Sequence, residues 1–177
     1  MAAVAILSLE ACSRSAADAI DYNTAQDTPV FGWKSTDTLY YPIQVTSPAS
    51  IRTPIEVGIP YHIICGIRMA ASFDMMRVPM MLIVQQTDTL EGHTVIVRNL
   101  LRQPIAPAVR DSVGRPLGSH WGSYIDHEAS LPADLTLRFD SIGNYRMMLT
   151  PIIPGLPSLQ GISSVSLSLR RSPNGTL

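Results

Sequence analysis

The sequence predicts an all-β protein, an antiparallel β-sandwich of jelly-roll type with about eight strands. Three observations carry that prediction. Leu135, Leu137 and Phe139 alternate with Thr136 and Arg138, and Val165, Leu167 and Leu169 alternate with Ser166 and Ser168. A period of two turns one face of a strand to a core and the other to water. Fourteen prolines and eleven glycines punctuate short apolar runs, which suits many short strands joined by turns, and no stretch shows the sustained period of a long helix.

In chain order, Leu39, Tyr41, Ile43 and Val45 share a face and predict the first strand, with Pro42 marking an edge or a bulge. Thr53 to Pro60 is a turn-rich connection, and Tyr61 to Ala70 is the second strand. Ser72 to Pro79 is a crossing. Met80 to Gln85 is apolar on both faces, as a doubly covered strand would be. Asp88 to Gly92 turns the chain and His93 to Arg98 returns it. Pro104 to Ala108 interrupts regular structure, Val109 to Val113 reads as a short strand, and Gly114 to Gly122 reads as a loop. Leu135–Phe139 and Arg146–Leu149 are expected to form a hairpin about Gly143-Asn144, two residues that tolerate positive φ. Ser164 to Arg170 is the last strand. The domain so delimited is 29–171, with 172–177 as a tail.

The chain has 177 residues, one domain by length. Its formal net charge is −1, and Lys34 is the only lysine. A nucleic-acid partner calls for a basic excess that is not there. No run reaches the roughly 18 apolar residues of a membrane-spanning helix.

The first eleven residues form a short apolar run ending in Ala11, followed by Cys12. Leu9-Glu10-Ala11-Cys12 resembles a bacterial lipobox, in which the chain is cut before a cysteine that then carries diacylglycerol. Glu10 stands where lipoboxes carry a small neutral residue, and no basic residue precedes the apolar run. The expectation is a lipoprotein signal peptide over residues 1–11, truncated at its start, with Cys12 lipidated. Acyl chains contribute about 0.8 kcal/mol per buried CH₂, so multiple acylation at Cys12 would anchor the chain to membrane lipid. Residues 12–28 are small and polar without a sustained period and read as a lipid-anchored flexible tether. Cys65, the only other cysteine, alternates with Ile63 and Ile67 and reads as a buried strand thiol.

The sequence shows no nucleophile elbow, no phosphate-cradling glycine loop and no zinc-binding helix motif. Catalytic residues, a metal and a cofactor are accordingly expected to be none. Asp126-His127-Glu128 is the densest polar cluster. On a strand, Asp126 and Glu128 would share a face and could help to hold a hard cation, whereas on a loop they are simply solvated. Asp88, Glu91 and His93 read as a hairpin turn. Trp121 and Tyr124 are the candidate contact residues for a ligand or partner. They either stack on a sugar ring or close one end of the core. Met75, Met76, Met80 and Met81 either fill the core or form an adaptable contact surface.

Several segments together resemble a known family. They are Trp33-Lys34 ahead of an edge strand, Ile67-Arg68 before a short crossing, Asp111-Ser-Val-Gly114, Gly118 to Trp121-Gly122, Phe139 with Ile142-Gly143-Asn-Tyr145, and Leu159-Gln-Gly161-Ile162 leading into Val165-Ser-Leu167. In order and spacing, from about Phe31 to Arg171, the chain resembles the gliding-motility lipoprotein family of the Bacteroidetes, known as GldH. It departs from that pattern after Arg68, where Phe73 to Met81 is rich in methionine, and after Tyr145, at Leu149 to Pro154. The resemblance implies a non-enzymatic, membrane-anchored, periplasm-facing envelope lipoprotein. Its expected partners are other envelope proteins of a gliding-motility or type 9 secretion complex. The alternative reading is a glycan-binding envelope β-sandwich lipoprotein using Trp121 and Tyr124.

Overall fold

A computed structural model describes residues 20–47, 55–132 and 134–172. Residues 1–19, which include the signal-peptide reading and the Cys12 lipidation site, lie outside the described residues, as do 173–177 of the expected tail. The described chain is all β, with eleven strands in two sheets. They are β1 (Ile20–Asp27), β2 (Leu39–Thr46), β3 (Ile55–Glu56), β4 (Pro60–Ala70), β5 (Met80–Leu90), β6 (His93–Ile105), β7 (Ser119–Trp121), β8 (Tyr124–Ser130), β9 (Thr136–Arg138), β10 (Gly143–Pro151) and β11 (Ile162–Arg171).

One sheet runs β1-β11-β4-β8-β7, with β9 also pairing β4; the other runs β3-β2-β10-β5-β6. The short strands β3, β7 and β9 are additions. Without them, the remaining eight, counted in sequence, stand as first-eighth-third-sixth and second-seventh-fourth-fifth. That interleaving is the jelly roll. The β2–β3 contact is the one parallel pairing among the described strands, joining Val45 to Ile55 and Thr46 to Glu56.

Alternation fills the space between the sheets. Tyr41, Ile43, Val45, Met80, Leu82, Val84, Tyr145, Met147 and Leu149 of one sheet meet Tyr61, Ile63, Cys65, Ile67, Met69, Ile125, Val165, Leu167 and Leu169 of the other, all buried. Two tyrosines tie the layers together. Tyr41 donates its hydroxyl to the Val165 carbonyl at 2.9 Å, and the Glu56 amide donates to the Tyr61 hydroxyl at 2.9 Å. Phe139 sits edge-on to Tyr145, with ring centroids 4.8 Å apart.

Three expectations are corrected. The tether reading of 12–28 fails from Ile20 onward, because Ile20–Asp27 pairs with β11 from Arg170 to Ser164. This strand carries too few apolar residues to announce itself; it is specified by the open edge of β11, not by its own pattern. Leu135–Phe139 and β10 do not form a hairpin: β9 pairs Pro60–His62 of β4, and β10 lies between β2 and β5 in the opposite sheet. The chain changes sheets between Phe139 and Gly143, where the Tyr145 hydroxyl donates back to the Ser141 carbonyl at 2.8 Å. Finally, Gly114–Gly122 is not all loop. Ser119–Trp121 and Tyr124–Ser130 form a hairpin, β7 and β8, closed by Gly122-Ser123 with Gly122 at φ 61°.

Candidate functional site: the loop end of the sandwich

The jelly-roll winding sends one set of connections to one end of the sandwich. These are 28–38, 71–79, 106–118, the 122–123 turn and 152–161. Five of the segments singled out above, far apart in sequence, meet there. The Trp33 amide donates to the Leu159 carbonyl and the Leu159 amide to the Trp33 carbonyl, both at 2.9 Å. Trp33 is fully buried and its indole donates to the Asp37 carbonyl at 3.0 Å, so it plugs this end of the core. The Ala70 amide donates to the Gly161 carbonyl, and a Cβ on Gly161 would lie 3.5 Å from the Phe73 ring. Arg110 donates to the carbonyls of Phe73 and Gly114. The Ala71 amide donates to the Ser123 carbonyl at 2.9 Å, which ties the β7–β8 turn to the same cluster. Phe139 and Tyr145, the remaining segment, pack at the opposite end of the core.

Several charges at this end are engaged by the loops themselves. Asp111 accepts from the Val113 and Arg115 amides and from the Arg115 guanidinium at 2.8 Å. Those amides, with that guanidinium, hold its carboxyl below the usual carboxylate value. Arg77 donates to the Ala106 carbonyl. Val30, Phe31, Met76, Val113, Trp121, Tyr124 and Leu156 project from this end, with Phe31 at 85% exposure, interspersed with exposed Lys34, Asp74 and Arg115. Exposed aromatic and Met side chains of this kind are enriched at protein interfaces.

Trp121 and Tyr124 are directly opposed across the β7–β8 turn. At 69% and 45% exposure they do not close the core. They share the outer face of the sheet with Arg68 and Asp126. Arg68 makes a two-pronged ion pair with Asp126, at 2.6 and 2.7 Å, which holds the Asp126 carboxyl down. Beyond that pair, Ala25, Ser166 and Gly66 line a shallow trough of about 310 Å³ with Glu128 on its wall. Asp126 and Glu128 do share a face, but Asp126 is engaged by Arg68. Among the described residues no group of three or more His, Cys, Asp or Glu is placed to hold a metal.

The other singled-out residues divide. Met80 is fully buried, Met75 packs against the core, Met81 is half-buried and Met76 is exposed. Glu91-Gly92 forms the two-residue turn between β5 and β6, with φ of 51° and 79°. Cys65 is buried and unpaired, and burial pushes its thiol up to about 12. A thiol that stays protonated is a poor nucleophile.

Sequence reasoning missed one feature, an open cleft of about 760 Å³ on the other flank of the sandwich. It lies between β6 and β8, and Leu101, Ile105, Leu117, Leu131 and Leu135 line it together with His127, Ala129 and Gln103. The signal was present: alternation aims Gln103, His127 and Ala129 inward, yet none of them is large and apolar.

No family model matches the chain, and no curated protein is significantly similar to it. Among solved structures, the VP2 subviral particle of infectious bursal disease virus is similar over 89% of this chain and 35% of that chain, at 12% identity and a TM-score of 0.22. The chain thus spans about a third of that protein's length, and a likeness of that size adds nothing about this chain's function.

Proposed function

We propose that this protein is a non-enzymatic envelope lipoprotein of the gliding-motility type, a structural or assembly component that engages another protein of a motility or secretion complex. Cys12 fixes it to the membrane, and the loop end of the sandwich meets the partner. The observation that supports this most directly is the convergence of Trp33, Ala70, Gly114, Trp121 and Leu159 segments at one end, beneath exposed apolar side chains. The course of β1 supports the same arrangement. Ile20 opposes Arg170 at the far end of β1, away from these loops. The seven residues between Cys12 and Ile20 span at most about 25 Å. A chain held at Cys12 therefore presents its loop end away from the anchoring membrane.

The test has two arms. Cys12→Ser should move the protein from the membrane to the soluble fraction; full retention would remove lipidation as the anchor. A photo-crosslinking residue at position 31 or 121, used in the native host, should trap a defined motility or secretion protein. The same residue at exposed Gln44, on the opposite sheet, should not. Equal trapping at all three positions, or none, would overturn the loop end as the docking surface.

A second reading has its own observation. Trp121 and Tyr124 stand side by side on the sheet face that also carries Arg68, Asp126 and the trough over Gly66. Aromatic faces beside hydrogen-bonding groups suit a sugar ring. A glycan array giving a specific hit that Trp121→Ala abolishes would favour this reading, and a clean array would end it.

A further inference from the structure

We infer that the cleft between β6 and β8 is a strand-addition site, which takes an extended peptide with apolar side chains at alternate positions. The inference rests on the cleft alone and does not depend on the anchoring or on the loop end.

The first observation is an unfinished sheet. β7 covers β8 only from Tyr124 to Asp126, and among the described residues nothing pairs with the outer edge of β8 from His127 to Ser130. Trp121 and Tyr124 flank a two-residue turn and so form a mutually bonded pair, as the geometry of tight hairpins requires. Alternation from Tyr124 then directs the amides and carbonyls of Glu128 and Ser130 to the free edge. The Leu131 amide, one residue on, donates the other way, to the Ile63 carbonyl at 3.0 Å. β7 begins only at Ser119, and Gly118 before it has φ +105° and a Cβ position occupied by the Asp126 carbonyl, so the pairing does not extend along His127 to Ser130.

The second observation is an unfilled core. On β8 the inward positions are His127 and Ala129, opposite buried Ile67 and Cys65 on β4. Across the cleft stand Leu101, Gln103 and Ile105 of β6. The sandwich is left open where small and polar residues take positions that elsewhere hold Leu, Ile or Val. A strand continuing the line of β7 would pair with Glu128 and Ser130 and send every second side chain into this space.

The third observation separates this edge from the other. β6 is also an edge strand, but it is guarded. Two register breaks leave Leu100 and Val97 as bulged residues, and Pro104 removes a donor. Bulges and prolines are the usual devices against unwanted strand pairing. The β8 edge from His127 to Ser130 carries neither.

The experiment is selection from a random nonapeptide library on the immobilised protein. Enriched peptides should carry apolar residues at alternate positions. Each should lose at least tenfold in affinity when alternate backbone nitrogens are methylated. Binding should slow amide exchange at Glu128 and Ser130. Ala129→Leu, which fills the cleft, should weaken binding at least tenfold, and an unchanged melting temperature would show that the domain is intact. Phe31→Ser, at the loop end, should leave peptide affinity within twofold. No enrichment, peptides with helical spacing, indifference to N-methylation, or a site unaffected by Ala129→Leu would each overturn the inference. A membrane-release result with Cys12→Ser bears only on the anchoring.

Discussion

The phenol of Tyr41 crosses the core. It sits on β2 in one sheet and donates to the carbonyl of Val165 on β11 in the other, at 2.9 Å, with both residues fully buried. Most inter-sheet contacts in a sandwich are apolar and non-directional. A single hydrogen bond of this kind fixes how the sheets register, because sliding either strand leaves a buried hydroxyl unpaired. Burial also raises the Tyr41 pKa well above that of a free phenol, so the group stays a donor throughout the physiological range. Tyr41→Phe should therefore lower unfolding stability by about 1 kcal/mol, with an unchanged denaturant slope. Equilibrium urea denaturation reads both quantities.

Gly118 marks where β7 parts from β8. Its φ is +105°, and a Cβ there would lie 2.2 Å from the Asp126 carbonyl oxygen and 2.9 Å from the His127 Cα. Neither atom is the end of a flexible side chain, so the backbone itself would have to move. Gly118→Ala is expected to destabilise the protein by about 2 kcal/mol or more, from strain plus the clash. Hydrogen exchange should show the loss concentrated in the β7–β8 hairpin. Gly122→Ala tests the contrast, since nothing lies within 4 Å of its Cβ position and only the positive φ is at stake.

The Arg68–Asp126 pair gives a pH signature. Hydrogen bonding and charge from Arg68 hold the folded Asp126 carboxyl below its usual value of 3.8. A depressed carboxylate favours the fold above the unfolded value, and that contribution is lost as pH falls through the folded one. The pair is exposed, so the contribution is small. A carboxyl carbon titration of the folded protein should place Asp126 below the usual aspartate value. Arg68→Ala should raise it without unfolding the domain.

Cys65 should be silent in the folded protein. Its thiol is fully buried, and with a pKa of about 12 it is almost entirely protonated at pH 8. Iodoacetamide at that pH should leave Cys65 unmodified in native buffer and modify it completely in denaturant, as intact-mass spectrometry would show. Modification of the native protein at the rate of a free thiol would mean that β4 opens far more readily than its place at the centre of the sheet allows.

The architecture was legible where alternation or a continuous apolar run is strong. Leu39 to Val45, Tyr61 to Ala70, Met80 to Gln85 and Val165 to Leu169 all lie within strands, and Cys65 is the buried thiol its neighbours imply. What escaped was set by pairing partners instead of by local pattern. Tyr124 to Ser130 reads as polar because only Ile125 on this strand is fully buried. Gly143-Asn144 looks like a hairpin turn, yet β9 and β10 part to different sheets, which no local signal records. At the loop end, Trp121 and Tyr124 were visible as a pair, but their exposure depends on where β7 ends. The exposed Val30 and Phe31 gave no sign at all, since an apolar pair in a Pro- and Gly-containing segment reads equally as core or surface.

The sharpest disagreement between pattern and structure, β1, also gives the most decisive test. Read locally, 20–28 is a polar tether and its removal should be harmless. In the fold, Asn23 to Asp27 pair residue by residue with Ser168 to Ser164, Arg171 reaches Asp21 at 3.1 Å, and the Thr28 hydroxyl donates to the Ile162 carbonyl. Deleting β1 would leave β11 as a long unguarded edge, with Ser164, Ser166 and Ser168 on its outer face and neither bulge nor proline to deter pairing beyond Ser164. A chain beginning at Pro29 should melt several degrees below one beginning at Ala19 and associate at concentrations where the longer chain is monomeric, by light scattering. Equal melting and equal scattering would show that Ile20–Asp27 adds nothing to the sandwich, and the domain boundary would return to Thr28.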